Sequence, residues 1–360
     1  MKRKSRLILA DGTVINGRSF GAPVSTTGEV VFNTGMVGYP ESLTDPSYHG
    51  QLLVLTYPLI GSYGVPGRTR ELGLLKYFES EKIQIAGLIV SEYVASHSHY
   101  LARQNLASWL KASRIPALAD IDTRSLTQRL RHRGTLPGKI IINREIDYEN
   151  SDKRNLLPAV SIKQPKVYKR GAVKIVLIDC GTKNNIIREL LRRDVTVIRL
   201  PWNFPLSRWR SRYDGVVISN GPGNPVQAAA TVEEIANLLV GHKPILGICL
   251  GNQLLALAAG AKTYKLKFGH RGQNQPIRQL TDGRCFITSQ NHGFAVRSQT
   301  LAGGFKPWFI NLNDQTIEGI RHHRRPFFGV QFHPEAAPGP TDTGFIFDLF
   351  LRKVKGYARR

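Results

Sequence analysis

The chain has 360 residues, 41% hydrophobic and 21% charged, and a formal net charge of +24. That composition is globular, and the length suits two domains of ordinary size. No apolar run approaches the ~18 residues of a membrane helix. The run behind the basic opening, residues 7–10, is too short for the core of a signal peptide, so a cytoplasmic address without membrane attachment is the expectation.

Three cysteines, Cys180, Cys249 and Cys285, cannot build a disulfide framework, and no two stand at metal-ligand spacing. The positive charge would suit nucleic acid or an acidic partner. It is spread along the whole chain with no recognition-helix, zinc-finger or RNP-type pattern, so no nucleic-acid partner is expected.

From the start, "RLILADGTVINGRSFGA" predicts a hairpin, with Asp11-Gly12 between alternating apolar residues. Strands follow in "VVFNTGMVGYP" and "LLVLTYPLIGSYG", and "DTRSLTQRLRHRG" reads as a helix. Residues 1–147 are therefore expected to form a β-rich α+β domain. The polar segment 148–171 has no sustained period and reads as a linker. Beyond it, in 172–360, strand and helix alternate: "AVKIVLIDCG", "NNIIRELLRRD", "VTVIRL", "YDGVVISNGPG", "TVEEIANLLVG", "PILGI", "NQLLALAAG". This alternation predicts an α/β domain with a central, mostly parallel sheet.

Chemistry concentrates at strand ends. In "PILGICLGNQ", Cys249 stands between a buried strand and a helix, with Gly247 and Gly251 two residues to either side. A tight strand-to-helix turn lifts a nucleophile out at the carboxyl end of a sheet. The helix N-terminus behind it favours an anion there. A structural cysteine is the competing reading, since cysteines are common in cores. A thiolate needs a proton shuttle and the shuttle an orienter. Past the strand "FFGVQF", His333 and Glu335 flank Pro334 and supply both. The loop "ISNGPGNP" sets Gly221 and Gly223 after another strand, where main-chain N–H groups can hold an oxyanion or carboxylate.

Together these motifs resemble the triad-type, class I glutamine amidotransferase domain over about 173–355. "GICLGNQ" resembles its nucleophile motif, "HPE" its histidine and glutamate, and "SNGPGNP" its oxyanion loop. The first half narrows the resemblance. "VVFNTGMVGYPESLTDPSYHGQLLVLTYPLIGSYGV" and "DIDTRSLTQRLRHRG" are similar to the N-terminal domain of the carbamoyl-phosphate synthase small-subunit family, and "KFGHRGQNQP" and "SQNHGFAV" downstream are similar to other segments of that subunit.

The resemblance implies hydrolysis of L-glutamine to glutamate and ammonia. The ammonia would pass through a tunnel to a large subunit that makes carbamoyl phosphate from bicarbonate and two ATP, for arginine or pyrimidine biosynthesis or both. It implies a heterodimer, or a higher oligomer of it. No metal or nucleotide is expected in this subunit; ATP and a divalent metal are expected on the large one. By position, it makes Cys249 the nucleophile, His333 the general base and acid, and Glu335 its orienter. Ser47, Gly221, Gly223, Leu250, Gln253, Asn291, Gly293 and Phe294 would bind glutamine. The chain departs from the family pattern at Cys180, Asn252, Arg271 and Gln275, none of them a triad position.

Other candidates are weaker. His97 with His99, and His322 with His323, lack carboxylate or cysteine partners nearby and read as solvated loops. Cys180 and Cys285 read as structural. His292 has the right chemistry for a base, but His333 has a glutamate two residues away. Two rival classes are a different glutamine-hydrolysing enzyme, such as an anthranilate- or guanylate-synthase subunit, and a non-catalytic scaffold. The N-terminal half disfavours the first and the intact triad the second.

Overall fold

The computed structural model describes residues 4–149, 153–209 and 211–358. The chain divides into two compact units after Lys153. The second unit thus begins inside the segment expected to be a linker. Within that segment Leu157–Val160 is helical, and Lys166–Tyr168 forms an edge strand antiparallel to Val195–Pro201. Residues 150–152 lie outside the described ones. Three residues are too few to show a period, which is why this strand was not legible.

The first unit is a closed seven-stranded barrel. Lys4–Leu9 and Val14–Ser19 form the expected antiparallel hairpin, with Gly12 at φ 86° in its turn. Thr123–Arg133 is the expected helix. Asp122 caps it by accepting from the Ser125 N–H at 2.9 Å, and Leu126 and Leu130, four residues apart, are buried.

The second unit holds a ten-stranded mixed sheet. Its centre is the expected parallel block. Val173–Asp179 pairs with Val195–Pro201 on one side and Gly215–Ile218 on the other. Gly215–Ile218 pairs with Ile245–Ile248, which pairs with Phe327–Val330. These strands are almost wholly buried, as their continuous apolar sequences require. Four further strands extend the sheet in antiparallel fashion: Ile317–His322, Phe305–Asn311, Thr263–Gln279 and Cys285–Val296. The helix Asn184–Arg192 buries Ile186, Ile187, Leu190 and Leu191 at helical spacing. Among the described residues no helix is long and apolar enough to cross a membrane.

The topology positions the site. Gly215–Ile218, Ile245–Ile248 and Phe327–Val330 are adjacent and parallel, with Ile218 opposite Gly247 and Ile248 opposite Val330. Parallel neighbours end at the same edge. The loop with Gly221, the turn with Cys249 and the segment with His333 therefore emerge side by side, although 112 residues (333 minus 221) separate the first from the last along the chain.

Candidate active site

Cys249 is the residue between strand Ile245–Ile248 and helix Leu250–Ala258. Its φ is 53° and its ψ −104°, a conformation that costs a non-glycine residue on the order of 1–3 kcal/mol. The turn is held by the Cys249 N–H, which donates to the Val330 carbonyl at 2.8 Å. The flanking glycines are required by space. A Cβ on Gly247 would stand 2.5 Å from the Gly251 carbonyl oxygen, and one on Gly251 would stand 2.1 Å from the Ile218 carbonyl oxygen. Strand and helix approach each other through these two positions, and the strained cysteine is the consequence.

His333 follows the strand Phe327–Val330, and its N–H donates to the Ser289 carbonyl at 2.9 Å. The expected strand through Phe332 ends two residues early, which frees the backbone to turn. Nδ1 of His333 lies 2.7 Å from Oε1 of Glu335, and both side chains are buried. The glutamate therefore orients the ring through Nδ1 and leaves Nε2 available for proton exchange. Nε2 is buried and makes no hydrogen bond of ordinary geometry. Burial disfavours the imidazolium, but Glu335 and Cys249 outweigh it and the His333 pKa is raised. For Glu335 burial would raise the pKa; the charges of Lys183 and His333 prevail and hold the carboxyl below the usual range.

Lys183 is a site residue the sequence reading missed. Its Nζ lies 3.1 Å from Glu335 Oε1 and donates to the Ala336 carbonyl at 2.5 Å. The turn that presents it is tied down by Asp179, whose Oδ1 accepts from the N–H groups of Gly181 and Thr182. Arg199 pairs with the other oxygen of Asp179 at 2.9 Å. The Lys183 N–H donates to Asn220 Oδ1 at 3.0 Å, which joins this turn to the glycine loop. Asn185 adds a hydrogen bond from Nδ2 to the Glu335 carbonyl. One signal was present in "DCGTKNN". A lysine at the N-cap of a helix opposes the helix dipole and calls for a compensating carboxylate.

The other expected residues divide by location. Leu250 opens the helix after Cys249, and its side chain lies against the Gly221 position. Gly221 packs on the Cys180 carbonyl, where a Cβ would approach to 2.1 Å, and Gly223 has φ 87°. Gln253 donates from Nε2 to the Phe294 carbonyl at 2.8 Å and to Gln331 Oε1 at 3.1 Å. The Asn291 carbonyl oxygen lies 3.7 Å from Cys249 Sγ, and Gln331 Nε2 lies 3.7 Å from it as well. Segment 291–294, Gly293 included, thus runs beside the nucleophile turn. Ser47 belongs to the first unit. It is buried in the short helix Pro46–Tyr48, its N–H bonded to Asp45 Oδ1 at 2.9 Å.

His292, the alternative base, has partners at both ring nitrogens. Its Nδ1 pairs with the Phe294 carbonyl at 2.9 Å and its Nε2 with Gln290 Oε1 at 3.2 Å. Burial, then the charge of His270, hold it neutral. Cys180 is fully buried, and that burial raises its thiol pKa; Cys285 is exposed. Asn252 donates from Nδ2 to Gln331 Oε1 at 3.3 Å, so this departure from the family pattern is absorbed within the core.

Comparison with known proteins accords with this geometry. The family model described as glutamine amidotransferase class-I matches residues 176–353. The model of the carbamoyl-phosphate synthase small chain, CPSase domain, matches residues 7–140. The carbamoyl phosphate synthase arginine-specific small chain of Neurospora crassa is 48% identical over 357 residues, covering 96% of this chain and 79% of that one. This chain belongs to the carbamoyl-phosphate synthase small-chain family.

Longer members of the family contain the same region. The human protein named carbamoyl-phosphate synthase [ammonia], mitochondrial, is 47% identical over 357 residues, covering 98% of this chain and 24% of that one. The multifunctional protein URA2 of Saccharomyces cerevisiae is 47% identical over 389 residues, covering 98% and 18%. The chain spans about a quarter or less of the length of these two relatives. The small-chain fold expected from the sequence, a β-rich domain followed by a class I amidotransferase domain, is what the chain adopts.

Proposed function

We propose that this chain is the glutamine-hydrolysing subunit of a carbamoyl-phosphate synthase. One observation carries the reading: a strained, buried Cys249 beside a His333 whose other nitrogen is held by Glu335. A relative named for ammonia shows that family membership alone does not settle the nitrogen donor. The intact Cys249, His333 and Glu335 favour glutamine.

The chemistry follows from the residues. Cys249 sulfur attacks the side-chain amide carbon of glutamine, giving a tetrahedral oxyanion. The main-chain N–H of Leu250 and one from the loop at Gly221 and Gly223 stabilise it; one such donor is worth ~10²–10³-fold in rate. His333 gives its proton to the amide nitrogen, the C–N bond breaks and ammonia leaves. A water then loses a proton to His333, attacks the thioester and releases glutamate, restoring the thiolate. Gln253, Asn291, Gly293, Phe294 and Ser47 bind the substrate in this proposal.

The partner is a large subunit that takes the ammonia through a tunnel and supplies ATP and divalent-metal chemistry, in a heterodimer or a higher assembly of it. The small subunit itself contributes no cofactor to glutamine hydrolysis. The product serves arginine synthesis, pyrimidine synthesis or both, in the cytoplasm.

Copurification tests the proposal. The complex should make carbamoyl phosphate from glutamine, and Cys249→Ser should abolish that activity while leaving ammonia-dependent synthesis largely intact. Near-normal glutamine hydrolysis by the variant would sink it.

A further inference from the structure

Outside the triad, one cluster of ligand-type side chains among the described residues is buried and unused. His270, His292 and Glu318 each offer one atom, and these atoms all lie within 4.8 Å of one another. The side chains come from three strands: Thr263–Gln279, Cys285–Val296 and Ile317–His322. His270 and His292 are direct cross-strand partners, and the pairing register shifts on either side of His270. Such bulges re-aim a side chain. Here the result is a ring turned onto Glu318, with Nδ1 3.1 Å from Oε1.

The surroundings have the pattern of an outer shell around a metal. Metal-binding histidines hand their second ring N–H to a carboxylate or a backbone carbonyl. His270 Nε2 lies 2.9 Å from Asp314 Oδ2. His292 Nδ1 lies 2.9 Å from the Phe294 carbonyl. The second nitrogen of each ring turns to the cluster itself: His270 Nδ1 to Glu318, and His292 Nε2 to a point 3.8 Å from Glu318 Oε1 and 3.2 Å from Gln290 Oε1. Glu318 is fully buried; Asn311 Nδ2 donates to its Oε1 at 3.3 Å, while Oε2 has no hydrogen-bond partner. A buried carboxylate oxygen without a donor is costly. Asp314 is partly exposed and opens a route from solvent.

We propose that His270, His292 and Glu318 bind a divalent transition-metal ion, zinc by the chemistry of the set. Two imidazoles and one carboxylate are a set that zinc takes readily, with a fourth position for Gln290 or water. The ion's charge offsets Glu318 and, through His270, Asp314. It ties three strands together at His292, inside segment 291–294, whose Asn291 carbonyl lies beside Cys249. The role is structural: the ion braces the wall of the site and takes no part in bond breaking. Without metal, a proton on His270 bridges Asp314 and Glu318 instead.

The test uses the purified complex, stripped with chelator, incubated with zinc chloride and freed of excess. The difference between wild type and variants isolates this site from metals elsewhere. Wild type should hold about one more zinc per chain than Glu318→Gln or His270→Gln, with affinity at least about 10-fold weaker in either variant. Cys249→Ser should retain the zinc. Equal zinc in wild type and Glu318→Gln, or loss in Cys249→Ser alone, would overturn the proposal; the first result would leave the proton bridge. Should the variants not fold, cobalt loaded into the wild type decides. The histidine–carboxylate site gives visible bands of a four-coordinate ion without a thiolate-to-metal charge-transfer band. That band, or no cobalt spectrum at all, counts against the site.

Discussion

Lys183 and Glu335 meet as a buried ion pair, Nζ to Oε1 at 3.1 Å, each side chain almost wholly removed from solvent. The same carboxylate oxygen holds His333 Nδ1 at 2.7 Å. One oxygen thus carries two cationic partners, and the triad includes a fourth member from the turn after Val173–Asp179. Removing one partner of a buried pair strands the other's charge.

Lys183→Met should therefore lower the unfolding free energy by about 3–5 kcal/mol. The double variant Lys183→Met/Glu335→Gln should cost less than the sum of the two singles, because the stranded charge is gone. Urea unfolding of the four proteins measures this. Additive losses would mean that the two residues do not act as a unit.

The raised His333 pKa has a consequence for the rate. In the proposed mechanism the imidazolium supplies the proton on which ammonia departs, so turnover of glutamine should fall as pH rises through that raised value. Glu335→Gln removes a negative charge that favours the imidazolium. Its alkaline limb should move to lower pH, with ammonia-dependent synthesis as the control. An alkaline limb in the same place would remove Glu335 from the tuning role.

Gly251 is a packing requirement of the cysteine turn. A Cβ there would lie 2.1 Å from the Ile218 carbonyl oxygen, and backbone on both sides must move. Gly251→Ala should cost about 1–3 kcal/mol or more, and turnover on the order of 10²-fold by displacing Cys249. Gly356→Ala is the control. It lies in the helix Phe345–Ala358 with open space around it, and should stabilise by up to about 1 kcal/mol. Equal thermal midpoints for the two variants would refute the steric account.

Ser47→Ala tests the proposed role of the first unit in substrate binding. A hydroxyl bonded to a charged end of glutamine contributes roughly 1.5–3 kcal/mol, about 10–150-fold in affinity. The Michaelis constant for glutamine should rise by that order with a smaller effect on turnover. A constant unchanged from wild type would make Ser47 only a turn residue behind Asp45.

Much was determined by the sequence alone. Continuous apolar runs such as "KIVLID" and "PILGI" read as buried parallel strands, because a strand covered on both faces shows no alternation. Gly247 and Gly251 marked the cysteine turn, since only glycine tolerates such close backbone approach. The pair His333 and Glu335 was legible because two residues of separation suffice to bring the side chains together. The tertiary structure decided what depends on distant segments. Lys183 stands 152 positions (335 minus 183) before Glu335, and no local pattern pairs them. His270, His292 and Glu318 converge only because bulged strands set their register. The isolated histidine pairs that drew attention in the sequence, His97 with His99 and His322 with His323, take no part in that group. Local chemistry is written in neighbouring residues, whereas a cluster assembled across a sheet is written in strand order and register, which a single chain's periodicity does not carry.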